Sequence, residues 1–178
     1  MDKNNHQIAT FAGGCFWCTE SALEDLPGVI KVVSGYSGGE LENPTYEEIS
    51  TGKTGHYESI QVTFDPQIIS YGELLENFWK QIDPTSAIGQ FADIGPQYRT
   101  AIFYHNEIQK EIAEKSKKQI KDSGRFSKPV VTEIIEYKNF YPAEDYHQNY
   151  AKKNPGHYQN YAVRSGRKNK LKKLWKKI

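Results

Sequence analysis

Two cysteines set three residues apart are the side chains of this sequence best suited to chemistry. Cys15 and Cys18 enclose Phe16 and Trp17 in the stretch FAGGCFWCTE. If Cys15 begins a helix, its sulfur faces unpaired backbone N–H groups, which lower the pKa of a thiol. Cys18 shares that helix face at a Cβ separation of about 5–6 Å, and a modest unwinding brings the two sulfurs within disulfide reach. The spacing therefore predicts Cys15 as the nucleophile and Cys18 as the resolving thiol.

Three other roles for such a pair stay open. A zinc site would need more ligands, and His56, His147 and His157 are scattered rather than set at metal-ligand spacing near the cysteines, so no metal is predicted. The thiols could be small buried side chains, or a thioredoxin-like dithiol at a strand–helix junction. The Phe-Trp pair favours a more specialised enzyme, because an apolar wall beside a nucleophilic sulfur suits a substrate with a small apolar group at its reacting atom.

The charge of the chain is unevenly distributed. The net charge of the 178 residues is +1, yet eight basic side chains and no acidic one lie in residues 164–178. Residues 1–163 thus hold 15 basic and 22 acidic side chains, a mildly acidic body for which nucleic acid is not the expected partner. No stretch is long and apolar enough for a signal peptide or a membrane span, so we expect a cytoplasmic protein without a membrane partner.

Hydrophobic periodicity and turn residues predict one α+β domain. Strands are expected at QIATFA, VIKVVSGY, HYESIQVTF and YRTAIFYH, with a further strand at VVTEIIEY. Helices are expected from Cys15 to about Leu26, over TYEEIS and YGELLENFWKQI, and from about Glu107 to Lys121. SAIGQFADIGPQ is predicted as loop, and irregular chain with one short helix follows Phe140. The first six main elements run β-α-β-β-α-β, the order of the ferredoxin-like split βαβ arrangement.

The basic end of the chain departs from this pattern. We divide the sequence into a domain of residues 1–163 and a tail of residues 164–178 that is predicted to be helical. Apolar residues of the tail recur at helical spacing, namely Leu171, Leu174, Trp175 and Ile178. Such a helix could bind a membrane surface or a partner. The favoured interpretation is a terminal helix that docks on its own domain or frays in solvent.

Seven short motifs, taken together and in order, give the chain a family resemblance. They are GGCFWCTE, LPGV, GYSGG, NPTYEEI, TGHYESIQVTFDP, DIGPQYRTAIF and YPAEDYHQNY. The sequence resembles the A-class peptide methionine sulfoxide reductases, which act on the S epimer, over roughly residues 8 to 150. The resemblance implies a two-layer α/β sandwich around a mixed, mostly antiparallel sheet, and makes residues 1–163 a single catalytic domain.

The resemblance also implies roles for the residues around the cysteines. It makes Cys15 the nucleophile, and Phe16 and Trp17 the side chains that hold the methyl group of the substrate. Glu58 would donate a proton to the sulfoxide oxygen. That role requires a neutral carboxyl group near neutral pH, which burial against the two aromatic rings can provide by raising its pKa.

Two phenols and a second carboxyl group complete the implied site. Tyr46 and Tyr98 would hydrogen-bond the sulfoxide oxygen, and Asp93 would lie close by in a supporting role. Tyr57 stands where the family more often has a small residue, which is expected to narrow the rim of the pocket. No cysteine follows Cys18, although many relatives have a resolving cysteine near the C-terminus.

The implied activity is reduction of methionine sulfoxide, free or in oxidised proteins, and so repair after oxidative stress. Cys15 would become a sulfenic acid, and Cys18 would condense with it to a disulfide. Thioredoxin or another dithiol would reduce that disulfide, and no bound cofactor is expected. Two alternatives remain: a general thiol–disulfide oxidoreductase, and a non-enzymatic binding module regulated by oxidation of the cysteines.

Overall fold

The computed structural model describes residues 5–176 and is built around one six-stranded sheet. The strands of this sheet are β1 (Gln7–Gly13), β2 (Val29–Ser37), β3 (Tyr57–Phe64), β6 (Thr100–Tyr104), β7 (Glu133–Glu136) and β8 (Tyr141–Pro142). Two further strands, β4 (Gly89–Gln90) and β5 (Asp93–Ile94), form a separate small sheet. The helices are α1 (Phe16–Leu23), α2 (Tyr46–Ser50), α3 (Tyr71–Trp79), α4 (Glu107–Asp122), α5 (Tyr150–Lys153), α6 (Pro155–Arg164) and α7 (Arg167–Leu174).

The order of the large sheet is β7-β6-β1-β3-β2-β8. Every neighbouring pair in it is antiparallel except β6 and β7, which are parallel. At its centre, β1 and β2 run in the same direction on either side of β3, and β6 pairs with the free edge of β1. This is the ferredoxin-like split βαβ arrangement. The α+β class and the mixed, mostly antiparallel sheet expected from the sequence are therefore confirmed.

One apolar core lies between the sheet and its helices. Alternate residues of β3 point into it, namely Ile60, Val62 and Phe64, and each is fully buried. The matching face of α3 supplies Leu74, Leu75, Phe78 and Trp79. Glu58 lies two residues before Ile60 in β3, so its side chain points to the same face of the sheet. Its carboxyl group is therefore directed toward the helices.

Two of the helices begin with capping boxes. The Thr45 hydroxyl accepts a hydrogen bond from the Glu48 backbone N–H (3.3 Å), and the Glu48 carboxylate accepts one from the Thr45 N–H (2.8 Å). Ser70 and Glu73 form the same reciprocal pair at the start of α3. These bonds satisfy backbone donors that a helix leaves free, so they fix where α2 and α3 begin.

The segment predicted as loop, SAIGQFADIGPQ, is more ordered than the sequence indicates. It contains the two-stranded sheet of β4 and β5, followed by a 3-10 helix over Pro96–Tyr98. The buried side-chain amide of Gln90 explains this order. It accepts a hydrogen bond from the Asp83 N–H (2.8 Å) and donates one to the Asp83 carbonyl (2.9 Å), and thereby replaces missing backbone partners.

The chain after Phe140 is also more helical than predicted. A 3-10 turn over Asp145–His147 leads to α5, α6 and α7. Pro155 is the first residue of α6, where its fixed φ favours helix and its missing N–H costs nothing. No helix in residues 5–176 is long and apolar enough to span a membrane.

The basic tail packs on the body through two large side chains. The buried Arg167 guanidinium donates hydrogen bonds to the carbonyls of Gly13 (3.1 Å) and Gln81 (2.6 Å). The Trp175 ring N–H donates to the Ile82 carbonyl (3.0 Å). Ile178, the last member of the amphipathic pattern, lies outside the described residues. The division of the chain at residue 163 stays a prediction.

Gly14 offers a test of how tightly the turn before Cys15 is packed. Its φ is +79°, and a Cβ there would lie 2.6 Å from the Cβ of Gln90. We predict that Gly14→Ala lowers the free energy of unfolding by about 2–5 kcal/mol, from a left-handed backbone penalty and overpacking. Gly124→Ala is the matched control, because its φ is +68° but no atom lies within 4 Å. Urea unfolding measures both variants, and an equal loss of unfolding free energy in the two would contradict this account.

Candidate active site

One cavity gathers most of the side chains that the sequence singles out. Its volume is about 130 Å³, and its lining consists of Cys15, Phe16, Trp17, Tyr46, Glu58, Asp93, Tyr98 and Tyr161. Seven of these were predicted as site residues, although they come from α1, α2, β3 and the segment before β6. The eighth predicted residue, Cys18, lies outside this cavity and lines a second one.

The turn after β1 sets Cys15 at the start of α1. Its carbonyl accepts the first bonds of the helix, from the N–H groups of Cys18 (3.2 Å) and Thr19 (3.4 Å). Gly13 allows this close approach, since a Cβ there would lie 2.4 Å from the Thr19 methyl group. The Cys15 side chain is only 5% exposed, so substrates must enter the cavity to reach it.

Glu58 reaches the same cavity from β3 and is 3% exposed. Its Oε2 accepts a hydrogen bond from the backbone N–H of Phe16 (3.1 Å), the first residue of α1. Burial raises the pKa of Glu58 to about 8, a nearby Asp93 adds to the increase, and the Phe16 N–H only partly opposes it. The carboxyl group is therefore mostly protonated at neutral pH and can donate a proton.

Aromatic rings form the wall beside the sulfur. Phe16 is 1% exposed, and its ring centroid lies 5.0 Å from that of His147. Trp17 is half-buried and stacks on Tyr150 at 3.8 Å, while its ring N–H donates to Nδ1 of His147 (3.1 Å). Burial lowers the pKa of His147, so its imidazole is neutral and Nδ1 can accept that bond. The two rings are thus held rigidly at the cavity.

Tyr46 and Tyr98 supply uncharged hydrogen-bond donors. Tyr46 is the first residue of α2, and its backbone N–H donates to the Glu144 carboxylate (3.0 Å), which ties α2 to the chain after β8. Tyr98 ends the 3-10 helix that follows β5. Burial raises the pKa of both phenols, and the Glu58 carboxyl group adds to the effect, so both hydroxyls stay protonated.

Tyr161 is a cavity residue that the sequence did not reveal. Its hydroxyl donates a hydrogen bond to the Asp93 carboxylate and lies beside the Cys15 sulfur. Burial raises the pKa of both Asp93 and Tyr161. As one of twelve tyrosines, in a segment without a recognised motif, Tyr161 gave no local signal. Only the path of α6 across α1 brings it to the site.

The ionisation of the two thiols differs from the sequence-based expectation. Burial raises the pKa of Cys15, with the Cys18 sulfur and the Glu58 carboxyl group adding to the increase, so the predicted lowering at the helix start is wrong. The Cys15 thiol donates to Cys18 and the Arg167 charge attracts a thiolate there, which together lower the pKa of Cys18 to about 7. Both cysteines are free thiols in this structure.

Tyr57 does not narrow the rim of the cavity, so that expectation is also wrong. Strand alternation turns it to the opposite face of the sheet from Glu58, where it packs with Ala12, Ala101 and Phe103. Its hydroxyl donates a hydrogen bond to the Glu133 carboxylate (3.1 Å). The bulky residue therefore supports the back of the sheet.

The site defines a class of enzyme by its donors and its nucleophile. A thiol, a protonated carboxyl group and neutral phenols surround an aromatic cavity of about 130 Å³. Such an arrangement can bind a small molecule carrying a polar oxygen, protonate that oxygen and attack the atom that bears it. Within residues 5–176, no three His, Cys, Asp or Glu side chains cluster as metal ligands would. The class is a cysteine-dependent oxidoreductase.

Comparison with known proteins identifies the family. The model of the family "Peptide methionine sulfoxide reductase" matches residues 7–178, which includes the basic tail. A Bacillus velezensis protein named peptide methionine sulfoxide reductase MsrA is 58% identical over 170 residues, covering 96% of each chain. The chain therefore belongs to the peptide methionine sulfoxide reductase family, and the resemblance to its A class is confirmed.

Solved structures of the family agree with this fold. Mxr1 from Saccharomyces cerevisiae in its reduced form is 34% identical, with a TM-score of 0.77 over 85% of this chain and 87% of that one. The same yeast protein in complex with Trx2 gives 28% identity and a TM-score of 0.51, over 82% and 85% of the two chains.

The raised pKa of Glu58 predicts a pH dependence of stability. An unfolded glutamate titrates near pH 4.3 and folded Glu58 near 8, so its contribution is fully present below about pH 4.3 and is lost as the pH rises through 8. We predict that the unfolding free energy of the wild type, relative to Glu58→Gln, falls by about 2–4 kcal/mol between pH 5 and pH 8. Urea unfolding of both proteins measures this, and a difference independent of pH would contradict it.

Proposed function

We propose that the protein reduces methionine S-sulfoxide, free or within oxidised proteins, to methionine. The observation that carries the proposal is the pairing of the Cys15 thiol with a carboxyl group of pKa about 8, Glu58, in one aromatic cavity. A sulfoxide sulfur is a poor electrophile until its oxygen is protonated. A positioned general acid commonly contributes about 10²–10⁴ in rate.

The remaining cavity residues divide into two roles. Phe16 and Trp17 hold the methyl group of the sulfoxide, for which a rigid apolar wall is well suited. Tyr46 and Tyr98 donate hydrogen bonds to the sulfoxide oxygen without adding charge. Asp93 acts through Tyr161, which it orients by accepting the hydrogen bond of its hydroxyl.

The chemical step then needs two proton transfers. As the Cys15 sulfur attacks, its proton passes to the sulfur of Cys18, which already accepts a hydrogen bond from the Cys15 thiol and whose pKa that bond and Arg167 lower. Glu58 gives its proton to the sulfoxide oxygen and later recovers one from water. The oxygen remains on Cys15 as a sulfenic acid, and methionine leaves. Cys18 then condenses with the sulfenic acid, forming the disulfide and releasing water.

Recycling of the Cys15–Cys18 disulfide requires an external dithiol, for which we propose thioredoxin. The complex of the yeast relative with Trx2 supports this assignment. A dithiol forms a mixed disulfide with one enzyme cysteine, and its second thiol then displaces that cysteine. We place the cycle in the cytoplasm, where thiols are kept reduced.

A general thiol–disulfide oxidoreductase is the second candidate. Such an enzyme has no need of an aromatic cavity of about 130 Å³ around its nucleophile, whereas here one encloses Cys15. A binding module without turnover has no use for a protonated carboxyl group beside a thiol. Both alternatives are therefore less well supported than sulfoxide reduction.

Separated epimers test the proposed reaction directly. Reduced protein is mixed, without reductant, with the R or the S sulfoxide of an N-capped methionine. We predict that the S epimer alone yields methionine and that the enzyme loses two daltons by mass spectrometry, as the disulfide forms. Cys15→Ser is the matched control and should yield none. Turnover by that variant, or equal use of both epimers, would reject the assignment.

Substitution of the second cysteine tests its resolving role. Cys18→Ser should still release about one methionine per enzyme, because Cys15 can be oxidised once. The burst should be slower than in the wild type, since the proton acceptor is missing, and thioredoxin should not sustain further turnover. Methionine released per enzyme is measured by chromatography. Sustained turnover driven by thioredoxin would exclude the resolving role.

A further inference from the structure

Cys18 has a separate opening to the surface. It lines a cavity of about 260 Å³ that lies between α1, α6 and α7, with Arg167, Lys168 and Leu171 on the side of the tail. Cys15 does not line this cavity. The two sulfurs of the cysteine pair are thus approached from two different directions, with the substrate cavity on the side of Cys15.

The surroundings of the Cys18 opening combine apolar side chains with exposed basic ones. Ala162, Val163 and Leu171 line the cavity, and Val163 is 56% exposed. On α7, Lys168 and Lys172 lie one turn apart and are both exposed. Protein–protein interfaces commonly combine apolar side chains with polar and charged ones in this way.

The orientation of α7 is fixed by contacts at its two ends. Arg167 is 4% exposed and bonds two backbone carbonyls of the body, and Trp175 donates to the Ile82 carbonyl just after the helix. These contacts direct the lysines outward. Within residues 5–176, none of the lysines of α7 forms an ion pair with a carboxylate.

The charge around this opening contrasts with that of the rest of the molecule. Residues 1–163 hold 22 acidic and 15 basic side chains, whereas residues 164–178 hold eight basic ones and no acidic one. Glu24 and Asp25, which directly follow α1, are both paired with Lys152. A negatively charged partner is therefore repelled by the body and attracted to this one end of it.

We propose that the surface formed by Val163, Lys168, Leu171 and Lys172 beside Cys18 is the docking surface for a dithiol protein with an acidic surface, which reduces the Cys15–Cys18 disulfide. This inference rests on the proposed function and names where its reductant binds. The reductant's thiolate attacks Cys18 and forms a mixed disulfide, and Cys15 leaves as a thiolate that takes a proton. The second thiol of the reductant then displaces Cys18, so one disulfide is broken and one is formed.

Charge reversal separates docking from chemistry. The test compares Lys168→Glu/Lys172→Glu with Lys31→Glu/Lys138→Glu, which makes the same change in net charge. Both control residues are exposed, and neither lines the Cys18 cavity. Lys31 pairs with Thr63 near the start of β1, at the end of the sheet away from Cys15. Turnover of the S sulfoxide is measured with thioredoxin and, separately, with dithiothreitol, which carries no charge.

We expect kcat/KM for thioredoxin to fall about tenfold in the tail variant, with a weaker dependence on salt, and to change little in the control variant. Turnover with dithiothreitol should be unchanged in both. Equal thioredoxin kinetics in the two variants, or an equal loss with dithiothreitol in the tail variant, would overturn the proposal.

Assays of the wild type distinguish failure of the docking proposal from failure of the proposed function. Turnover with dithiothreitol but not with thioredoxin would overturn the docking proposal and leave sulfoxide reduction standing. Release of no methionine with either reductant would overturn the proposed function itself, and the docking proposal with it.

Discussion

Burial of one carboxyl group is the constraint on which the rest of this structure depends. Glu58 lies on the core-facing side of β3, and the cost of ionising it there raises its pKa to about 8. The same low-polarity surroundings keep the phenols of Tyr46 and Tyr98 neutral and raise the pKa of Cys15. An acid that is protonated at neutral pH and a thiol that is not yet ionised are thus two results of one environment. The cavity holds its reactive groups uncharged until a substrate arrives.

The helix between the two cysteines separates two tasks that would interfere in a single pocket. Cys15 faces the aromatic cavity of about 130 Å³, whereas Cys18 faces one of about 260 Å³ bordered by the tail. This arrangement places the nucleophile in the substrate cavity and its partner in the cavity beside which we propose that the reductant docks. The buried Arg167 contributes to both cavities. It donates a hydrogen bond to the Gly13 carbonyl, just before the turn that carries Cys15, and its charge lowers the pKa of Cys18. A tail that looks like a solvated basic run is therefore part of the packing around the cysteine pair.

The sequence predicts what depends on local pattern and misses what depends on the path of the chain. Alternation in HYESIQVTF is enough to predict β3, and the glycine pair is enough to place Cys15 before a helix, but Glu58 was assigned to the site by the resemblance alone. The seven ordered motifs brought the other cavity residues into consideration. Tyr161 and the burial of Arg167 left no local signal, because they depend on where the chain after Phe140 crosses α1. The pKa of Cys15 was predicted in the wrong direction for the same reason: a helix start is visible in sequence, and its burial is not.

The hydrogen bond from the Phe16 N–H to Glu58 shows how the helix start acts. A free N–H group at the beginning of a helix stabilises negative charge, and here it is directed at the carboxyl group. In the resting protein this hydrogen bond contributes little stabilisation, because Glu58 is protonated. Once Glu58 has given its proton to the substrate oxygen, the same donor faces a carboxylate and needs no rearrangement to stabilise it. The N-terminus of α1 therefore favours the charge that forms on Glu58 during proton transfer.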